Sequence, residues 1–184
     1  AASDVYKRQG KNNDLPPILM GSHLDTQPTG GRFDGVFGVM AGLEVIRTLN
    51  DLGIETEAPL EVVNWTNEEG GRFPPPMVGS AVFAGLTSLE AAYDLRDLDG
   101  ARFGDELENI GYRGDTDIGN RPIGGYFECH IEQGPILESE SLPVGVVSGV
   151  QAMRWYEVRA VGRESHAGTT PPANRRDALT AVAE

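Results

Sequence analysis

The chain has 184 residues, of which 39% are hydrophobic and 23% charged, a composition typical of a folded globular protein. A formal net charge of −13 argues against nucleic-acid binding through a basic surface. No apolar run is long enough to span a membrane, and no segment has the pattern of a secretory signal. The single cysteine, Cys129, excludes an internal disulfide and suits a reducing compartment, so a cytoplasmic location is expected.

The two ends of the chain do not have the patterns expected at the ends of a domain. Residues 1–14 lack a clear periodicity and are expected to form a non-native or unstructured leader. The last ten residues have the pattern of a helix that stops without a capping residue. We therefore expect a fragment, with one domain over residues 15–150 and the start of another over residues 151–184.

The first half of the chain predicts a strand, a helix and a second strand. Residues 15–24, LPPILMGSHL, are a short apolar run behind two prolines, typical of a buried strand. From Val36 to Leu52 apolar residues recur every three or four positions, which predicts a helix ended by Gly53. Residues 60–66, LEVVNWT, are apolar and β-branched. Elements in this order favour a parallel sheet in an α/β fold.

The second half of the chain predicts shorter elements separated by loops rich in glycine and proline. They are a helix opened by the capping box TSLE at 87–90, a helix over 102–110, strands over 126–131 and 143–150, a partly alternating segment over 153–161 and a helix from Asn174. The change of pattern near residue 150 is the reason for the predicted domain boundary.

Charged residues crowd the stretch SHLDTQPTGGRFDG, which joins the first strand to the first helix. His23 and Asp25 lie two positions apart at a strand end, so they face the same side, where a carboxylate can orient a metal-binding imidazole. Taken alone, this pair is more typical of a polar surface. Asp34 directly precedes the helix, where N-capping is the simplest role, but capping explains neither the glycines nor the nearby histidine.

Acidic and histidine residues also follow the next two predicted strands. Glu68 and Glu69 come after the second strand, where sites form in open α/β sheets. Adjacent carboxylates repel each other unless a cation or a shared proton relieves the repulsion. One could therefore bind a metal ion while the other takes a proton from water. The alternative is a solvated acidic turn. His130 and Glu132 repeat the two-residue spacing. Alone, His130 suits a structural role; together with the other clusters, a metal ligand is favoured.

The third histidine, His166, lies in the loop GRESHAGTTPP, whose glycine and threonine residues suit turns and hydrogen bonding. The local sequence supports a functional role and an exposed loop position equally. Cys129 is expected to point away from His130 into the core, because neighbours on a strand alternate faces. A nucleophile elbow and a Walker phosphate loop are both absent from the sequence.

Taken in order, five motifs resemble those of a known family. They are His23-x-Asp25, Asp34-Gly35, Glu68-Glu69, HIEQG at 130–134 and SHAGTT at 165–170. The set resembles the amidase/hydantoinase/carbamoylase branch of the dinuclear metallohydrolases related to zinc aminoacylases, from about Pro17 onward. The resemblance implies an α/β catalytic domain with a central mixed sheet flanked by helices, partly present in residues 15–150. Residues 151–184 would be the truncated start of an α+β lid and dimerisation domain.

The resemblance also implies a metal centre. His23 and His130 would ligate one metal ion, Asp34 would bridge to a second ion, and Glu69 would ligate that second ion. The implied cofactors are two divalent metal ions, with Zn²⁺ favoured and Mn²⁺, Co²⁺ or Ni²⁺ as alternatives.

Catalytic and substrate-binding roles follow from the same resemblance. Glu68 would be the general base and Asp25 would orient His23. Gln133 and His166 would contact the substrate, with His166 polarising its carbonyl group.

The activity implied by the resemblance is metal-dependent hydrolysis of linear C–N amide bonds. The substrate would be an N-carbamoyl-L-amino acid or N-carbamoyl-β-amino acid, with allantoate as the alternative and a non-catalytic binding or dimerisation relative as another class. The partners implied are a small ureido substrate and a second subunit of a homodimer, with no nucleic acid or membrane. One further metal ligand and the residues that bind the substrate carboxylate would lie beyond Glu184. The chain as given is therefore expected to bind the second metal weakly and to be inactive.

Overall fold

The computed structural model describes residues 3–119, 121–154 and 156–183. By its internal contacts the chain falls into two units, Ala1–Pro135 and Ile136–Glu184. The predicted boundary near residue 150 lies inside the second unit, and the assignment of two domains stays a prediction. None of the described helices is both long and apolar enough to cross a membrane.

A four-stranded mixed sheet forms the centre of the first unit. Its strands are β1 (Ser3–Arg8), β2 (Ile18–His23), β3 (Leu60–Trp65) and β4 (Gly125–Phe127). They lie in the order β1-β3-β2-β4, with β2 parallel to both β3 and β4, and β1 antiparallel to β3. The predicted mixed sheet and its parallel strand-helix-strand unit are confirmed.

Helix α1 (Val36–Asp51) packs on this sheet along the apolar stripe that the sequence predicts. Its buried Val39 and Ile46 form one core cluster with Leu60 and Val62 of β3. A side chain at Gly42 would crowd Met20 and Val62, so this glycine lets the helix lie close to the sheet. The first residues of the helix lie against the carboxyl end of β2, where Gly35 approaches His23 and Gly38 approaches Ser22.

Three short helices build a second core cluster in the first unit. They are α2 (Val78–Phe83), α3 (Leu89–Tyr93) and α4 (Phe103–Asn109). The cluster they bury consists of Phe73, Val78, Val82, Ala92, Phe103 and Leu107. Ser88 caps α3 by accepting a 3.1 Å hydrogen bond from the amide of Ala91, as the TSLE pattern predicts. Helix α2 was not predicted, because the prolines before it suggested only a loop.

The second unit contains fewer regular elements than the sequence predicts. Its helices are α5 (Ile136–Ser139) and α6 (Ala178–Ala183), with a 3₁₀ turn at Pro172–Asn174, so the final α-helix begins later than expected. The predicted strand over 143–150 is wrong: these residues are exposed, and none of the described strands pairs with them. The segment 153–161 forms no strand in its described part, and Trp155 lies outside the described residues.

Two expectations for the first unit also need correction. Residues 3–8 are not an unstructured leader, because they form β1 and pair along the whole length of β3, while Ala1 and Ala2 lie outside the described residues. The predicted strand 126–131 ends at Phe127. Cys129 therefore lies beyond the strand and is exposed rather than buried, since the alternation of faces does not extend to it.

Candidate metal centre

Three predicted metal ligands from different parts of the chain converge at one end of the sheet. His23 ends β2, Asp34 precedes α1 and His130 follows β4, and each offers a ligand atom within 4.8 Å of the others. The closest pair joins His130 Nε2 to Asp34 Oδ1 at 3.2 Å, and His23 Nε2 lies 3.8 Å from the same oxygen. The carboxyl ends of parallel strands thus form the site, as the sequence predicts.

Both imidazoles present the same nitrogen to Asp34. His23 Nδ1 donates a 2.8 Å hydrogen bond to the carbonyl oxygen of Asp25, and His130 Nδ1 donates one of 2.9 Å to that of Ile131. Because a carbonyl oxygen can only accept, these bonds require a proton on Nδ1, so Nε2 is the nitrogen that can bind a metal ion. This is the arrangement that metal-binding histidines usually show.

Asp25 contacts His23 through its backbone carbonyl and not, as expected, through its carboxylate. Its carboxylate lies 3.8 Å from His23 Nδ1, too far for a hydrogen bond, so its carbonyl group is what holds His23. The carboxylate instead accepts hydrogen bonds from the backbone amides of Glu68 at 3.1 Å and Glu69 at 3.0 Å. Asp25 therefore joins the end of β2 to the acidic pair that follows β3.

The turn that presents this acidic pair depends on Asn67. Its φ of 56° lies in the left-handed region, which asparagine tolerates better than most residues. The buried Asn67 side chain donates a 2.8 Å hydrogen bond to the carbonyl of Phe73. At the start of α2, the amide of Met77 donates to the Glu68 carbonyl at 2.6 Å. Asn67 was not among the residues predicted for the site, although an asparagine close after a strand is typical of such turns.

The Glu68 carboxylate lies beside the three converging ligands. Its Oε2 lies 3.7 Å from His23 Nε2, and its side chain is partly exposed. Desolvation raises the pKa of Glu68 above its usual value, and the negative charges of Glu69, Asp25 and Glu128 add to this, whereas the nearby His23 opposes it. A carboxyl group in such surroundings suits the role of general base.

Glu69 lies outside the group of three converging ligands. Gln27 donates hydrogen bonds of 3.1 Å to the carbonyl oxygen and to Oε2 of Glu69. The other carboxylate oxygen, Oε1, is buried and has no hydrogen-bond partner. A buried carboxylate oxygen without a donor is unfavourable by itself but suits a cation ligand. The sequence analysis did not single out Gln27.

Asp34 is not the N-cap of α1, so its carboxylate is available to the site. The N-cap is Gly35, with φ 69° and no side-chain capping bond. A Cβ atom at Gly35 would collide with the imidazole ring of His23, which explains why a glycine adjoins the predicted ligand. Asp34 Oδ2 accepts a 2.5 Å hydrogen bond from Gln133 Nε2.

The two predicted substrate-binding residues have other partners here. Gln133 binds the Asp34 oxygen that a bridging carboxylate would offer to a second metal ion. His166 belongs to the second unit, where its Nδ1 accepts a 3.1 Å hydrogen bond from the amide of Gly168. Their contacts with a substrate stay predictions.

The donor atoms present fit a divalent cation. Two imidazoles and one carboxylate are a ligand set that suits Zn²⁺ or a similar ion and leaves positions for water or substrate. His23 is 2% exposed and the His130 side chain 32%, so one side of the cluster is closed and the other open to solvent. The unpartnered Oε1 of Glu69 offers a further ligand atom.

The α/β sheet carries a candidate metal centre at its strand ends, and the comparison with known proteins identifies the family of the chain. Residues 19–184 match the model of Peptidase family M20/M25/M40, and the chain belongs to this family. It is 55% identical, over 96% of its length, to an N-carbamoyl-L-amino-acid amidohydrolase of Rhizobium meliloti, and 40% identical over 100% to one of Geobacillus stearothermophilus.

Solved structures support the same assignment. The chain matches the crystal structure of an amidase of the hydantoinase/carbamoylase family from Burkholderia vietnamiensis with a TM-score of 0.90 and 55% identity over 99% of its length. It spans 42%, 46% and 44% of the Rhizobium, Geobacillus and Burkholderia proteins, less than half of each. The family resemblance drawn from the five motifs is confirmed.

Proposed function

We propose that the protein containing this chain hydrolyses N-carbamoyl-L-amino acids and releases the amino acid, carbon dioxide and ammonia. The observation that carries the proposal is the convergence of His23, Asp34 and His130 beside Glu68, in a chain 55% identical to an amidohydrolase of that name. N-carbamoyl-β-amino acids and allantoate present the same ureido group, so the choice among these substrates rests on the relatives.

His23, Asp34 and His130 would hold one divalent cation, and Asp34 with Glu69 a second. Zn²⁺ is favoured, with Mn²⁺, Co²⁺ or Ni²⁺ as alternatives. When bound, such ions polarise a carbonyl group and make water more acidic. For Asp34 to bridge the two ions, Gln133 has to release Oδ2 and is then available to a substrate.

Glu68 would supply the proton transfers. Its carboxylate takes a proton from the attacking water as the water oxygen bonds to the carbamoyl carbon. The same group then gives this proton to the leaving nitrogen as the first C–N bond breaks. The carbamic acid that remains breaks down to carbon dioxide and the second nitrogen product, so that the amino acid and ammonia are both released. The Asp25 carboxylate would hold the backbone of Glu68 in place during these transfers, because it accepts hydrogen bonds from the amides of Glu68 and Glu69.

Substrate recognition is assigned to Gln133 and to His166, whose imidazole would stabilise the negative charge that develops on the carbonyl oxygen. The protein would act as a homodimer in the cytoplasm. The residue roles and the homodimer rest on the motif resemblance alone, and the cytoplasmic location rests on the single cysteine.

The test uses the family-length protein, meaning a protein of the relatives' length that contains this chain. We expect ammonia and free amino acid from N-carbamoyl-L-amino acids at a higher rate than from N-carbamoyl-β-alanine or allantoate. Glu68→Gln should lower kcat about 10²- to 10⁴-fold while the metal content stays the same. Glu55→Gln, which changes an exposed carboxylate at the other end of β3, is the matched control.

Each outcome decides one part of the proposal. Faster release from allantoate would replace the substrate assignment, and release from none of the substrates would overturn the function. A Glu68→Gln variant with full activity and full metal content would exclude Glu68 as the base.

A further inference from the structure

The position of His130 depends on a strand that ends before it. The pairing of β4 with β2 joins Ile18 to Gly125, Leu19 to Tyr126 and Met20 to Phe127, and none of the described residues extends it. His130 lies three positions beyond the last pair. In contrast, His23 is itself the last paired residue of β2, opposite Trp65 of β3. Backbone pairing therefore fixes one histidine of the centre and not the other.

Side chains continue the connection where the backbone pairing stops. Ser22 Oγ donates a 2.5 Å hydrogen bond to Glu128 Oε1, and the hydroxyl of Tyr126 donates one of 2.8 Å to Glu128 Oε2. The indole Nε1 of Trp65 donates a 2.9 Å hydrogen bond to the Tyr126 hydroxyl. The Glu128 carboxylate thus collects donors from β2 and β4, and through Tyr126 it is linked to β3.

The hydrogen bond between Ser22 and Glu128 joins residues that lie close to the two histidines in the sequence. Ser22 directly precedes His23, and Glu128 lies two positions before His130. Hydrogen bonds to a carboxylate are shorter and stronger than those between neutral groups. Ser22 is completely buried, whereas Glu128 is an exposed residue. The two imidazole rings that it aligns have their centroids 6.0 Å apart.

We propose that Glu128 is a positioning residue that sets the distance between His23 and His130, so that both imidazoles reach the same cation. It acts through Ser22 and Tyr126 and has no role as a ligand. The inference rests on the proposed metal centre. Changes in residues that orient metal ligands typically lower metal affinity 10- to 100-fold, and a comparable loss is expected here.

The experiment measures metal affinity rather than turnover. The metal-free family-length protein and its variants are titrated with Zn²⁺ by calorimetry and with Co²⁺ by visible absorption, which reports the ligand geometry. We expect Glu128→Ala to weaken binding about 10- to 100-fold and to change the Co²⁺ spectrum. Glu128→Gln, which keeps the side-chain length and one acceptor oxygen, should recover most of the affinity. Glu55→Ala, a change at an exposed carboxylate, should leave both unchanged.

The outcomes separate this inference from the proposed function. If the unsubstituted protein binds neither ion, the metal centre itself is wrong. If that protein binds both ions and folded Glu128→Ala binds them equally well with the same spectrum, Glu128 does not position the ligands. If Glu128→Ala does not fold, Ser22→Ala is measured instead, because it removes only the hydrogen bond from β2. Weaker metal binding with a changed Co²⁺ spectrum would support the inference, and unchanged affinity and spectrum would overturn it.

Discussion

The two sides of the metal centre are built in different ways. On the β2 side, His23 is buried, its Nδ1 is held by the Asp25 carbonyl, and its backbone is paired with Trp65. On the β4 side, His130 follows a strand of three residues and keeps a side chain that is 32% exposed. Ligands at the ends of well-paired strands are placed by the sheet itself, whereas a ligand beyond a short strand depends on its neighbours' side chains.

The largest expected effect comes from removing either histidine. His23→Ala and His130→Ala should each abolish tight metal binding, because each removes one ligand of the same ion. Their effects on the metal-free protein should differ. His23→Ala leaves a buried gap and an unpaired carbonyl and should lower the free energy of unfolding by about 2 kcal/mol, whereas His130→Ala should change it by about 0.5 kcal/mol or less.

Denaturant unfolding of the two metal-free variants checks this difference, with calorimetric titration for the metal. Equal losses of stability would contradict the contrast between a buried and an exposed side of the site.

A smaller effect is expected at the glycine that adjoins His23. Gly35 and Gly53 both have positive φ, at 69° and 63°. Of the two, only Gly35 has atoms that an added Cβ would meet, namely the ring and the carbonyl oxygen of His23. Gly53→Ala should therefore cost about 1 kcal/mol, for backbone strain alone. Gly35→Ala should cost about 2 kcal/mol or more, because it adds the collision with His23.

The same pair of glycine variants also tests the site. Gly35→Ala should weaken metal binding through the displaced His23 ring, and Gly53→Ala should not. Thermal and denaturant unfolding give the stabilities, and a Zn²⁺ titration gives the affinities. Identical behaviour of the two variants would mean that the ring of His23 does not pack against Gly35.

The smallest expected effect is the contribution of Glu68 to the pH dependence of the free energy of unfolding, measured on the metal-free protein. Because the folded state raises the pKa of Glu68 above its ordinary value of 4.5, folding favours the protonated form. Its contribution is fully present below the ordinary pKa and is lost as the pH rises through the raised one. The free energy of unfolding of the metal-free protein should therefore fall over this range, and Glu68→Gln should flatten the decrease. If the free energy of unfolding fell more steeply with pH in Glu68→Gln than in the unsubstituted protein, the pKa of Glu68 would be lowered by folding rather than raised.

Much of the fold and of the centre was predictable from local pattern. The apolar periods of α1, β2 and β3 depend on near neighbours in the chain, so they predict the unit that carries His23 and Asp34. The partners of those residues were not predictable: Asp25 binds through its carbonyl, and Gln133 binds Asp34. The residue pattern does not show whether the carbonyl or the carboxylate of Asp25 meets His23, and the contact of Gln133 with Asp34 joins residues 99 positions apart, which no local periodicity reports.

The difference between local pattern and tertiary contact also explains why two segments were predicted wrongly, residues 3–8 and residues 143–150. The residues of β1 have little apolar pattern and become a strand because β3 offers a free edge for pairing. Residues 143–150 have a strand-like composition but no described strand beside them. A strand is stable only with a hydrogen-bonded neighbour, which its own residues cannot supply.

By itself, the order of residues determined the family, the kind of sheet and the residue types that can hold a metal ion, because motifs and periodicity are local properties. The tertiary structure decided which atoms meet: that Nε2 of both histidines faces Asp34, that Gly35 rather than Asp34 caps α1, and that Glu128 joins β2 to β4. These contacts depend on the register and close approach of separate elements, which exist only once the sheet has formed.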